Sequence, residues 1–181
     1  GATIIGAHME GPYFSLDYKG AQNPEFIKEG TIEEINEYLD LCPDLIKLFS
    51  LAPEKNSNEV IKYLKDNGII VSMGHTAASC DRIKEACTCG LSHATHTYNG
   101  MKGLHHREAG ALGAVMLLDE IYAELILDKI HVHPDSAKIL LKCKGIDKVI
   151  LISDCIMAGG MPDGNYSLGG LGVIVKDGEA R

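Results

Sequence analysis

The 181-residue sequence has no run of lysine or arginine beyond isolated pairs. Its 17 basic residues are outnumbered by 25 acidic ones, for a net charge of −8. That balance argues against nucleic acid or an anionic membrane surface as a partner and favours a small soluble ligand. No apolar stretch approaches the roughly 20 residues that span a bilayer, and residues 1–10 lack the basic region, apolar run and cleavage site of a secretory leader. A cytoplasmic location is therefore expected. Internal repeats and low-complexity tracts are also missing. Cysteine is sparse: Cys42, Cys80, Cys87, Cys89, Cys143 and Cys155 are scattered through a chain large enough to build a core without covalent staples, and they read as free thiols. What remains, 45% apolar and 23% charged residues, is ordinary globular composition.

Short apolar, β-branched runs recur at residues 3–7, 45–51, 68–73, 91–94, 122–127 and 148–152, each suiting a strand buried on both faces. Helical patterns separate most of them. Residues 31–41 open with Thr31-Ile32-Glu33-Glu34, a capping box with Thr31 as cap and Glu34 reaching back. Residues 56–67 place Val60, Ile61 and Leu64 on one face and end before Gly68. Residues 78–89 end before Gly90, and residues 134–144 begin with proline and end before Gly145. Strand and helix alternate, so the sheet is predicted to be parallel and the fold class α/β. Residues 158–165, rich in glycine, read as a mobile loop. Residues 168–180 read as an antiparallel hairpin turning at Asp177-Gly178.

The polar residues gather at one kind of position. His8 and Glu10 close the first strand, His75 the third, His93 and His96 the fourth; His131 and His133 follow the fifth, and Asp154 the sixth. In a parallel β/α barrel these C-terminal ends face one mouth, where such enzymes place their chemistry. One histidine there is unremarkable, but independent structural histidines have no reason to converge on one rim. Imidazoles with a carboxylate form the usual first shell of zinc or iron, and Glu10, His75 and His96 meet that need. Water activated at such a centre still requires a base to take its proton and return it to the leaving group, a role Asp154 is placed to fill.

His8-Met9-Glu10-Gly11-Pro12, Lys19 to Pro24 (Lys-Gly-Ala-Gln-Asn-Pro), Ala52-Pro53-Glu54, Gly74-His75-Thr76, Thr95 to Met101 (Thr-His-Thr-Tyr-Asn-Gly-Met), Arg107 to Gly110 (Arg-Glu-Ala-Gly) and Ser153-Asp154 occur in this order. This ordered set, spread over nearly the whole chain, closely resembles the N-acetylglucosamine-6-phosphate deacetylases of the amidohydrolase superfamily. The resemblance implies a TIM-type β/α barrel of the metal-dependent hydrolase kind. It also implies hydrolysis of the acetamide of N-acetylglucosamine 6-phosphate to glucosamine 6-phosphate and acetate. By position, it makes Glu10, His75 and His96 the metal ligands and Asp154 the catalytic aspartate. His131 becomes a contact near the scissile acetamide, and Asn99 with the backbone of Gly100 contacts to the sugar phosphate. Arg107 becomes an arginine that crosses a homodimer interface to the neighbouring subunit's phosphate. The cofactor it implies is a divalent metal, zinc first, with iron, manganese and cobalt equally compatible with nitrogen and oxygen ligands.

The sequence departs from the family pattern in two ways. Gln22 stands where some members carry a histidine near the substrate. The second departure is an absence: six candidate strands fall short of eight, and a complete barrel takes about 250 residues. The chain is therefore expected to be an internal fragment. Residues 1–166 form the incomplete catalytic barrel, and residues 167–181 a hairpin entering a small β-sandwich subdomain. Two rival readings follow. One is a truncated, inactive segment that binds metal and sugar phosphate without turnover. The other is a related amidohydrolase acting on a cyclic amide, which usually needs a modified lysine beside the histidines; Lys47 lies too early in its strand.

Overall fold

A computed structural model describes residues 1–180. Six parallel strands hydrogen-bond in sequential order: β1 (Ala7–Glu10), β2 (Ile46–Leu51), β3 (Ile70–Met73), β4 (Leu91–Ala94), β5 (Tyr122–Ile126) and β6 (Val149–Ile152). A helix fills every crossover: α1 (Ile32–Leu41), α2 (Asn58–Asp66), α3 (Cys80–Cys89), α4 (Gly110–Leu117) and α5 (Pro134–Lys144). Strictly sequential order with helical crossovers is the winding of a TIM-type barrel, and these are six of its strands.

Local chemistry sets most helix ends. Ser57 and Ser79 cap α2 and α3, their hydroxyls accepting from the backbone N–H of Val60 and Arg82 at 3.3 and 3.1 Å. Gly90 ends α3 at a φ of +122°, where a side chain would strain the backbone. The predicted capping box is only half made. Thr31 accepts from the Glu34 N–H at 3.3 Å, but the Glu34 carboxylate turns to Lys28 and to the Tyr38 hydroxyl instead of back to the cap. Helix α4, absent from the predicted pattern, has the sequence Gly-Ala-Leu-Gly-Ala-Val-Met-Leu and no polar face; it is mostly buried, so it carries no amphipathic rhythm to read.

The first strand also differs from expectation. Ile4 and Ile5 are 88% and 86% exposed, and β1 starts at Ala7. Strand β2 begins at Ile46, so residues before Ala7 have no ladder to join. His8 and Glu10 thus lie within the strand, two residues apart and on one face. The strands are not apolar on both faces either. Phe49, Leu51, Val71, Met73, Ala123 and Leu125 pack in one core with Val60, Ile61, Leu64 and Ile83 of the helices. The alternating residues Ser50, Ser72, Thr95 and Glu124 are buried and polar. The Thr95 hydroxyl bonds those of Ser50 and Ser72 at 2.5 and 2.7 Å, and Ser50 meets His8 Nε2 at 2.6 Å.

After β6 the chain forms a separate antiparallel sheet, β7 (Gly164–Leu168), β8 (Leu171–Lys176) and β9 (Glu179–Ala180). The predicted turn at Asp177-Gly178 is present, both residues having positive φ. A first turn at Gly169-Gly170 adds a strand, so pairing starts at Gly164, inside the stretch read as a loop. Arg181, the last residue of the predicted hairpin segment, lies outside the described residues. All six cysteines are free thiols.

Candidate active site

Glu10 ends β1, while His75 and His96 each lie two residues beyond their strands, β3 and β4. His75, His96 and Asp154 all adopt left-handed backbone, with φ of +46°, +32° and +50°. Such a conformation costs a residue with a β-carbon on the order of 1 kcal/mol or more and marks positions where geometry is imposed from outside. The imposed turn directs both imidazoles back over the strand ends. His75 Nε2 and His96 Nε2 lie 2.9 and 3.0 Å from Glu10 Oε1 and 3.2 Å from each other.

The other ring nitrogens decide what this triangle is. His75 Nδ1 donates to the Tyr18 carbonyl at 2.8 Å, and His96 Nδ1 to the Asn99 carbonyl at 3.2 Å. A neutral imidazole with its proton on Nδ1 offers only a lone pair at Nε2. Two such lone pairs and a carboxylate oxygen, all within 4.8 Å, are three acceptors facing one another. They repel unless a proton on one imidazole or a cation sits among them. Backbone carbonyls holding the far nitrogen of each histidine are the usual second layer of a metal centre. The donor set therefore fits a divalent ion of the zinc type. Burial pushes the Glu10 pKa up, yet His75 and His96 hold it well below the usual carboxylate range, so the carboxylate stays ionised and draws positive charge into the triangle. Burial alone would lower the His96 pKa, but Glu10 and Asp154 outweigh it and raise it.

His75 is clamped on three sides. The buried Phe14 ring lies 4.5 Å from it, and a β-carbon on Gly100 would stand 2.9 Å from its Nδ1. A carbonyl at Tyr18 closes the third side. Gly100 adopts a φ of +56°, which glycine alone tolerates easily, and its carbonyl accepts from Thr76 N–H at 3.0 Å. Glu54, from the Ala52-Pro53-Glu54 motif, accepts from the Thr76 hydroxyl and the Ala77 N–H at 2.5 and 2.6 Å, fixing the turn after His75.

The remaining predicted residues are not drawn into this triangle. Asn99 supplies the carbonyl for His96, and its side-chain amide donates to the His96 carbonyl at 3.4 Å. Asp154 is exposed and lines a cavity of about 430 Å³ with His8, Thr95, Glu124 and Ser153. Arg107 stands exposed in the loop between β4 and α4, its Nε donating to His106 at 3.1 Å. His131 follows β5 and is exposed, its Nδ1 on Asp128. His93 stacks against Tyr122 at 5.1 Å instead of joining the cluster. Lys47, second residue of β2, is exposed and lies 4.0 Å from Asp44.

Glu124 was not among the predicted site residues. It is 95% buried, and its Oε2 has no hydrogen-bond partner among the described residues. Burial raises its pKa, with Asp154 and Glu10 adding repulsion that bonding to His96 only partly offsets. The signal in the sequence was one charge inside the strand Tyr-Ala-Glu-Leu-Ile.

No model of a known protein family matches the sequence. Individual proteins do. The chain is 43% identical over 177 residues to the N-acetylglucosamine-6-phosphate deacetylase of Bacillus subtilis (strain 168), covering 97% of the chain and 45% of that protein. It is 39% identical over 182 residues to the N-acetylgalactosamine-6-phosphate deacetylase of Escherichia coli O157:H7, covering the whole chain and 48% of that protein. A solved structure of a mutant N-acetyl-D-glucosamine-6-phosphate deacetylase from Mycobacterium smegmatis, in complex with N-acetyl-D-glucosamine-6-phosphate, superposes with a TM-score of 0.95. Its identity is 32%, over 97% of this chain and 46% of that one. Over nearly its full length the chain is thus a homologue of the N-acetylglucosamine-6-phosphate deacetylases, and it spans about half the length of the curated relatives it matches.

Proposed function

We propose that the protein is a metal-dependent amidohydrolase that releases acetate from N-acetylglucosamine 6-phosphate, leaving glucosamine 6-phosphate. The observation that carries this reading is the triangle of Glu10, His75 and His96, three acceptor atoms within 4.8 Å whose geometry calls for a cation. These three residues would hold a divalent ion, zinc first by ligand chemistry, which when bound supplies Lewis acidity and makes water easier to deprotonate. Asp154 takes the proton of the attacking water and delivers it to the departing nitrogen. The C–N bond breaks, acetate keeps the water's oxygen, and the sugar leaves with its amine. His131 contacts the acetamide, Asn99 and the Gly100 backbone hold the sugar phosphate, and Arg107 pairs with a phosphate bound by the second subunit of a cytoplasmic homodimer. In this reading residues 1–166 are catalytic barrel and the chain beyond them enters a small β subdomain.

The test is acetate release from N-acetylglucosamine 6-phosphate by the metal-loaded protein, with the Asp154→Asn variant alongside. Asn keeps shape and hydrogen bonding but cannot accept a proton, so kcat falls by about 10² to 10⁴ while bound metal stays. Unchanged turnover would move the base elsewhere, His131 being the next candidate. Faster turnover of the 4-epimer would place the protein with its relative named for N-acetylgalactosamine 6-phosphate.

A further inference from the structure

Strand β5 ends at Ile126, and the chain reaches His131 through a turn organised by one carboxylate. Asp128 Oδ1 accepts from the backbone N–H of Ile130 and of His131 at 2.8 and 2.9 Å, while Lys129 takes a left-handed φ of +72°. Asp128 Oδ2 accepts from His131 Nδ1 at 2.6 Å. Each oxygen thus has its own duty, one holding the backbone and the other the ring. An ionised carboxylate can only accept, so Nδ1 carries the proton whether the ring is neutral or an imidazolium. Burial pushes the Asp128 pKa up, but the side chain and backbone of His131 and the Ile130 N–H bring it below the usual aspartate value. The ring is half exposed beyond the C-terminal end of β5, and its Nε2 makes no hydrogen bond to the described residues.

We infer that Asp128 is a positioning residue for His131: it fixes the ring's proton on Nδ1 and so leaves Nε2 as the atom offered to the substrate. This rests on the reading that His131 contacts the acetamide. The orientation is set within a four-residue span, because the His131 side chain is exposed while its neighbour Val132 is the residue that packs into the core. A histidine free to rotate and exchange tautomers would present a donor or an acceptor indiscriminately. One carboxylate holding both ring and main chain removes that freedom.

Asp128→Asn separates the two duties. The two backbone N–H groups claim the amide oxygen, which turns the NH₂ toward Nδ1 and requires a lone pair there. The proton of the neutral ring then moves to Nε2 while the turn keeps its shape. Nitrogen-15 NMR of histidine-labelled protein reads the tautomer without any turnover. Expected are an Nδ1–H ring in the unaltered protein and an Nε2–H ring in the variant. Bound metal should be unchanged, kcat/KM should fall about 10- to 100-fold, and Asp128→Glu should recover part of the loss. An Nε2–H ring in the unaltered protein would overturn the inference. So would an inverted ring with undiminished kcat/KM when His131→Gln does lower it. If His131→Gln also has no effect, the substrate contact at His131 falls and takes the inference with it, while the acetate assay still supports deacetylation. No acetate release from the unaltered protein would instead overturn the functional reading, with the NMR result still deciding the ring's proton.

Discussion

Glu10, His75 and His96 are held by partners far away in the chain, whereas Arg107 and His131 are held by neighbours. Glu10 meets His75 and His96 across 65 and 86 residues, and His75 reaches Tyr18 across 57. Arg107 bonds to His105 and His106, and His131 to Asp128. The first group is largely buried and the second exposed. Donor atoms about 3 Å apart need every strand between them in register, so the proposed metal centre draws its ligands from the barrel strands. A sugar phosphate tolerates more variation in position, so the groups that would hold it sit on loops that can adjust.

The largest effect expected from breaking this contrast is at the centre. His75→Ala and His96→Ala should each remove stoichiometric metal, with affinity weakened by at least about 10²-fold, because even the outer partners of metal ligands are worth about 10- to 100-fold. Elemental analysis of purified protein checks it. Full metal occupancy in either variant would mean that the triangle is not the binding site.

Arg107→Ala should leave metal content untouched and act only on the phosphate. Losing a charged, planar, hydrogen-bonded contact lowers kcat/KM for the 6-phosphorylated sugar about 10- to 100-fold. Any reaction of unphosphorylated N-acetylglucosamine should hardly change. Equal losses on both sugars would make Arg107 structural. If the arginine crosses between subunits, mixing the Arg107→Ala protein with an Asp154→Asn protein should restore part of the activity, since one site of each heterodimer then keeps both residues.

The smallest effect concerns what anchors the Arg107 loop. The Glu108 carboxylate pairs with Lys102 at 2.8 Å and accepts from the Cys80 and Gly110 N–H groups at 3.0 and 2.8 Å. Those contacts lower its pKa from 4.5 to about 2. A carboxyl depressed in the folded state stabilises the protein above its unfolded value and loses that contribution as pH falls through the folded one. The difference in Tm between the unaltered protein and Glu108→Gln should therefore be full above about pH 4.5 and shrink as pH falls toward about 2. A difference constant over that range would remove Glu108 as the loop's electrostatic anchor.

Much of this could be read from residue order. The six-strand rhythm is there, as are serine and threonine at helix starts and glycine at a helix end, because these are local signals. The places of Glu10, His75 and His96 at strand ends were legible too, but His93 and His131 share that position without joining the triangle. Other features were hidden for stated reasons. Helix α4 is buried nearly all round and shows no amphipathic period. The Ile4-Ile5 pair looks like strand but has no partner strand alongside among the described residues. Glu124 sits in an apolar strand, and no pattern on one strand reveals that its carboxylate shares a cavity with His8 and Asp154.

The sequence by itself determined the kinds of element, their alternation, the donor types at the strand ends and the short-range Asp128–His131 pairing, since each depends on residues within a few positions of one another. Only the tertiary structure decided the protonation pattern of the centre. Whether Nε2 of His75 or His96 is a lone pair or a donor depends on the carbonyls of Tyr18 and Asn99, and for His75 that carbonyl arrives from a loop 57 residues away. Long-range packing brings three ligand atoms to one point within 4.8 Å of one another, and that closeness is what makes the point the proposed place for a cation.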